Sequence, residues 1–248
     1  MIVVAVLQLY SFENFNNFFV HYYNDFYHFL LNALFISGWG FEKGPSFNGP
    51  IWSVSVEIII YFIFFFLIIN FKSNRILKSI LAVIVLISYK KLFSHNFLNI
   101  INMNLINCGI IFFEGILVYY FIKKINNNKI IFFVGVMLLA VSIIGNFKIY
   151  VFLPCVLLVF LSLENFIKGR IVNFFSFLGN LTYGTYLWHL PLQIFLMIMI
   201  KKIGINYSIF EYRIFFLIYL SILILLSILS YYFFEKKMRQ FLKKKLKS

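Results

Sequence analysis

Charge is what this sequence has least of. Of its 248 residues only 12% are Asp, Glu, Lys or Arg, and only eight are acidic, while 62% are hydrophobic and 22% aromatic. Soluble domains hold about 25% charged and about 45–50% apolar residues. A water-soluble enzyme or binding module is therefore excluded, and the chain reads as an integral membrane protein. Cysteine is scarce as well. Cys108 and Cys155 both sit in apolar runs, where they read as small hydrophobes rather than as a disulfide framework or a metal cluster. Alanine is rare while Lys, Asn, Ile and Phe abound, a bias that lowers the weight of any single Asn or Lys. The first ten residues are apolar but too short to span, and they lack the basic flank and cleavage site of a signal peptide.

The charge that is present is one-sided: 22 Lys and Arg give a formal net charge of +14. These bases lie scattered between apolar runs rather than gathered on one face, which fits positive-inside topology and not nucleic-acid binding. The runs predict one element before Trp39, a helix entered at Trp52, and further spans at about 76–89, 105–122, 130–147, 149–163, 181–200 and 213–234. The expected fold is an all-α polytopic bundle of about eight spans, a single membrane domain over 1–248 ending in a basic 235–248 tail. With the tail inside, Lys72, Arg75, Lys78, Lys123, Lys124, Lys129, Lys168 and Arg170 join it, so fifteen of the 22 bases face the cytoplasm. That places both ends inside a cell membrane, with membrane lipids as partners and the tail suited to anionic headgroups.

Between residues 11 and 29 the chain is aromatic and polar and reads as an interfacial segment. His21 and Asp25, at i,i+4 spacing, read as an ordinary surface pair. His28 adds a third polar group nearby, but so few ligands make a weak metal site, and no metal is expected. Gly38 to Pro50 reads as a loop.

The chemistry concentrates in two stretches. The first is Asn-Gly-Pro-Ile-Trp-Ser-Val-Ser-Val-Glu-Ile-Ile-Ile-Tyr at 48–61. Glu57 is the one formally charged side chain from Trp52 to Phe71, and an intramembrane acid costs roughly 2.5–3.5 kcal/mol, which makes it a functional-site hypothesis in need of a partner. Ser53 and Tyr61, at i−4 and i+4, share its helix face. A packing role for Glu57 is the plainer alternative. The second stretch is Leu-Gly-Asn-Leu-Thr-Tyr-Gly-Thr-Tyr-Leu-Trp-His-Leu-Pro at 178–191. Thr182, Tyr186, His189 and Gln193 fall within about 60° on a helix and form one polar stripe. Pro191 deprives the Leu187 carbonyl of its helical N–H, so a kink is expected with some other donor filling the gap. Glu114 is a third intramembrane acid, beside Gly115, where a neighbouring helix is expected to approach closely.

Trp-Ser-Val-Ser-Val-Glu resembles the Trp-Ser-Leu-x-x-Glu signature of the acyltransferase-3 family, and Thr182 to Pro191 resembles that family's Ser-Tyr-x-x-Tyr-Leu-x-His-x-Pro segment, with Thr182 in place of Ser. The resemblance implies a polytopic membrane O-acyltransferase that moves an acyl group, with acetyl the expectation, from acetyl-CoA or another acyl-CoA to a hydroxyl of a surface glycan or glycolipid. It implies catalytic roles for Glu57 and His189, and substrate-binding roles for Trp52, Ser53, Tyr186, Thr182 and Glu114. Acyl-CoA and a carbohydrate or glycolipid acceptor are the implied partners, with no bound cofactor and no nucleic acid. Family members begin with further helices carrying an Arg and a His, the His being the general base. The sequence before Trp52 shows no such context, which predicts an N-terminally truncated, folded but inactive chain. Other classes are a glycan or lipid transporter or flippase using Glu57, Glu114 and His189 as a proton relay, and an inactive scaffold subunit of polysaccharide assembly. A transporter is expected to carry paired broken helices, and the Pro191 break has no counterpart in the first half.

Overall fold

A computed structural model describes residues 1–70, 75–93, 103–125, 127–145, 149–163 and 169–246. Among the described residues there are ten α-helices and no strand, so the chain adopts the all-α fold its composition predicts. Lys72, Lys168 and Lys247, counted above for topology, and Phe147, the expected end of one span, lie outside the described residues.

The helices divide into two compact units. The first comprises Met1–Ser37, Phe41–Trp52 and Asn173–Ser248. Its α1 (Ile2–Phe15) runs past the ten apolar residues expected and ends at Asn16, in the left-handed conformation (φ 51°) that Asn tolerates better than most side chains. The fully buried Gln8 amide donates to the Phe19 carbonyl at 2.8 Å and accepts from the Phe19 N–H at 3.1 Å, pinning the turn that follows α1. Next comes α2 (Phe26–Ala33), then, much later in the chain, α8 (Arg170–Ile203) and α9 (Arg213–Ser230). A single π-helical turn, Tyr231–Glu235, joins α9 to α10 (Lys236–Lys245). Val4, Phe19 and Phe47 pack with Leu190, Ile194 and Ile198 of α8 to form this unit's core. Where α8 meets α9, a Cβ added to Gly184 would lie 3.3 Å from the Ser227 Cβ.

The second unit, Gly38–Gly40 and Ser53–Val172, holds most of α3 (Ile51–Asn70) with α4 (Arg75–Phe93), α5 (Met103–Ile125), α6 (Asn128–Ile144) and α7 (Ile149–Leu163). Gly109 is where three helices meet. A Cβ there would stand 3.0 Å from Leu86 of α4 and 3.2 Å from Ile60 of α3. The close approach expected at Gly115 is not found, since a Cβ there would meet nothing within 4 Å. The two glycines are six residues apart, which places them about 120° apart around the helix, so only one can face α3 and α4. A smaller cluster of Val118, Ile131 and Leu158 joins α5, α6 and α7.

Among the described residues, three helices are long and apolar enough to cross a membrane: Met103–Ile125, Arg170–Ile203 and the continuous run Arg213–Lys245. Helices α6 and α7 are apolar but only 17 and 15 residues long. At 1.5 Å per residue they cover roughly 23–26 Å, short of a hydrocarbon core about 30 Å thick.

Candidate functional site

In the first unit the polar stripe of α8 carries the densest chemistry. The His189 Nδ1 lies 2.6 Å from the Tyr186 carbonyl oxygen. A carbonyl can only accept, so Nδ1 carries the hydrogen and the neutral ring keeps its lone pair on Nε2. The Tyr186 ring is tilted against the imidazole with centroids 5.8 Å apart. Thr182 is exposed and turns its hydroxyl back to the Gly179 carbonyl at 2.7 Å. α8 continues through Pro191, and the Leu187 carbonyl finds the donor that the missing N–H requires. Asn48 Nδ2 reaches it at 3.4 Å. From α9 the Tyr219 hydroxyl donates to the His189 carbonyl at 3.0 Å. The imidazole is thus held by its own helix, while the backbone on either side of it is held by Asn48 and Tyr219.

Asn48 is a residue whose role sequence reasoning missed. It is 4% exposed, and its Oδ1 has no hydrogen-bond partner among the described residues. The available signal was the carbonyl freed by Pro191, which demanded a donor without saying which residue supplies it.

The segment that delivers Asn48 is itself organised by polar contacts, and here one expectation is corrected: His21 does not pair with Asp25. α2 begins only at Phe26, so His21 never shares a helix face with Asp25. His21 packs against Gly49 instead, where an added Cβ would come within 2.6 Å of Nε2. Burial pushes its imidazole below the usual histidine range. Asp25 caps α2 by accepting from the His28 N–H at 2.9 Å, and it also accepts from His28 Nδ1 at 2.7 Å. His28 is fully buried. Its Nε2 accepts the Lys43 N–H at 3.3 Å, so both ring nitrogens are engaged in holding the chain. Asn32 Nδ2 donates to Glu42 Oε1 and to Ser46 Oγ, each at 2.7 Å, and Ser46 donates to Glu42 at 2.6 Å. The Phe47 N–H donates to Asn24 Oδ1 at 2.7 Å. The hydrogen bonds from His28 hold the Asp25 carboxyl below its ordinary range, whereas burial raises that of Glu42.

Of the remaining predicted residues, Trp52 belongs to the first unit, while Ser53, Glu57 and Glu114 belong to the second. Glu57 is exposed, and Tyr61 follows it by one helical turn on the same face, as its stripe predicts. Ser55, rather than Ser53 alone, anchors this end of α3. It is fully buried, its hydroxyl accepts the Gly38 N–H at 2.6 Å, and its carbonyl accepts the Trp39 indole N–H at 2.9 Å. Glu114 is half-buried, and its Oε2 has no hydrogen-bond partner among the described residues. Among the described residues no group of three or more His, Cys, Asp or Glu side chains is placed to hold a metal ion.

A family model described as an acyltransferase domain matches residues 2–232. The chain belongs to the acyltransferase-3 family. The match covers both polar stretches and all seven residues given catalytic or substrate-binding roles above, and it supports an acyltransferase-type function. No curated protein and no solved structure matches the chain.

Proposed function

We propose that this acyltransferase-3 chain is a multi-pass protein of about eight spans in the cell membrane, with its C-terminus in the cytoplasm, and that it transfers an acyl group, acetyl in the simplest case, from acyl-CoA to a hydroxyl of a surface glycan or glycolipid. The observation that carries the reading is the His189 imidazole, held through Nδ1 with no partner for its Nε2 among the described residues, inside a family whose chemistry is acyl transfer. In the proposed reaction Nε2 accepts the proton of the acceptor hydroxyl as the oxygen attacks the thioester carbonyl. Collapse of the tetrahedral intermediate breaks the C–S bond, and the imidazolium returns the proton to the CoA thiolate. The acceptor leaves as an ester and CoA leaves as the thiol. Tyr186 and Thr182 line the acceptor side of His189, and Trp52 with Ser53 shape the entrance at the head of α3. Glu57 and Glu114 supply carboxylates within the second unit. Lysines on the cytoplasmic connections suit the phosphates of CoA.

The test is acyl transfer in proteoliposomes supplied with radiolabelled acetyl-CoA and a panel of polyprenyl-linked and free oligosaccharides. His189→Gln is expected to lower the rate by about 10²–10⁴-fold, the range of a lost general base. Glu57→Gln, which keeps shape and loses charge, is expected to slow transfer without reducing the amount of protein in the membrane. Full activity in His189→Gln would remove the base from this histidine.

A further inference from the structure

The first unit contains a cavity of about 490 Å³ bounded by the second half of α8, the connection after it and the start of α9. That size lies within the ~300–1,000 Å³ typical of small-molecule sites. Its walls are mainly aromatic, with Tyr207, Phe210, Phe215 and Tyr219 beside Met197. Tyr207 and Phe210 stand three apart in the single 3₁₀ turn Tyr207–Glu211, whose threefold repeat puts such pairs on one face. Their rings are accordingly near-parallel, 11° apart with centroids at 6.2 Å, and Phe215 meets Phe210 edge-on at 5.0 Å. One amide breaks this wall. Gln193, the last member of the α8 stripe, is half-buried at the cavity and has no hydrogen-bond partner among the described residues. The Tyr207 hydroxyl is likewise without one, whereas that of Tyr219 is committed to the His189 carbonyl.

The lining discriminates among ligand classes. Among the described residues no Lys or Arg borders the cavity, which disfavours a phosphate, and no carboxylate borders it, which disfavours an organic cation. A hydrocarbon chain would satisfy the rings but leave the Gln193 amide desolvated and unpaired, at a cost that a polar ligand avoids. A sugar ring matches both parts. Its C–H face is electropositive and lies against the negative faces of aromatic rings, while its rim of hydroxyls offers donors and acceptors to an amide and a phenol. We propose that this cavity binds one pyranose ring of a glycan, with Phe210 and Tyr207 as the stacking wall and Gln193 as the polar anchor. The assignment deepens the acyl-transfer reading and rests on it for the use made of the sugar. Tyr219 contributes both to the cavity wall and to the support of His189, so the ring would be bound next to the element that holds the proposed base.

The experiment uses the full chain in lipid nanodiscs and two photoreactive probes, a diazirine-bearing set of methyl pyranosides and a diazirine-bearing long-chain alkane, with labelled peptides mapped by mass spectrometry. The pyranoside set is expected to label the segment 207–219, and labelling is expected to fall by about tenfold in Gln193→Leu and in Phe210→Ala, as loss of one buried polar or stacking contact implies. Tyr207→Phe, which keeps the stack and removes only a hydroxyl, is the second variant should either of those fail to fold, and it is expected to weaken labelling by a smaller factor. Labelling by the alkane alone, or pyranoside labelling that none of the folded variants reduces, would overturn the assignment. Photolabelling needs no acyl-CoA, so the two readings fail separately. Sugar labelling without any acyl transfer would keep this site and sink the transferase, whereas acyl transfer with an acceptor KM unchanged by Gln193→Leu would sink the site and keep the transferase.

Discussion

At the scale of single residues, the polar stripe of α8 follows from spacing alone, because 3.6 residues per turn leave Thr182, Tyr186, His189 and Gln193 no other arrangement on a continuous helix. Pro191 likewise announced an orphan carbonyl. Asn48 did not announce itself as the partner, since the two residues are 139 positions apart and only tertiary folding brings them together. Asn48→Leu keeps approximate shape and removes the donor, leaving the Leu187 carbonyl unpaired beside a buried side chain. It is expected to destabilise the protein by about 1–3 kcal/mol, read as a lower thermal unfolding midpoint in detergent. An unchanged midpoint would mean that water serves the carbonyl equally well. His28 shows the opposite failure of sequence reasoning. An i,i+4 pair at His21 and Asp25 looked like helix chemistry, but the helix starts one residue after Asp25, and the true pair is the cap and the third residue inside it.

Elements come next, and the segment from Asp25 to Asn48 behaves as one device with opposed acid responses. Glu42 is raised by burial, so ionising it costs folded-state stability, a cost present at neutral pH and relieved as pH falls toward the ordinary carboxyl value of 4.5. Asp25 is lowered chiefly by the His28 N–H and then by its ring, with Lys43 adding a favourable charge. Its stabilisation is present above 3.8 and is lost as pH falls below that value. His21, lowered by burial against Gly49, costs stability as pH falls below its ordinary 6.5, so the Glu42 contribution is read by difference. Glu42→Gln keeps an acceptor for Asn32 and Ser46, and it is expected to slow amide exchange of residues 41–48 at pH 7 relative to the unsubstituted protein and to lose that advantage by about pH 4.5, after correction for intrinsic rates. Equal exchange in the two proteins at pH 7 would contradict the arrangement. In the second unit the glycines make a separate comparison. Gly115→Ala adds a methyl to open space and gains helix propensity of up to ~1 kcal/mol, whereas at Gly109 the methyl meets Leu86 and Ile60 at 3.0–3.2 Å. Denaturation in mild detergent should rank Gly115→Ala above Gly109→Ala. Sequence nominated Gly115 and passed over Gly109, because a helix that is apolar all round does not reveal which face its neighbours cover.

For the whole molecule, composition was decisive about class and silent about assembly. An apolar, helical chain followed from 62% hydrophobic residues, and the family followed from two short polar motifs, but the division into two units has no composition shift or linker to mark it. Reporter fusions after Asn127 and at the C-terminus are expected to read cytoplasm, and fusions near Lys43 and Ile205 to read outside, as the basic residues require. Two or more inverted signals would reverse the orientation. The contact between Asn48 and Leu187 also has a consequence in time. Ribosomes add about 5–20 residues per second, so roughly 7–28 s pass between synthesis of the amide and synthesis of the carbonyl it serves. Tyr219 arrives later still. During that interval the Asn48 amide, just ahead of α3, has no Leu187 carbonyl to serve. The support of His189 is thus completed late in synthesis, and a ribosome that stalls before residue 187 leaves a chain whose Asn48 amide lacks the carbonyl it serves in the finished protein.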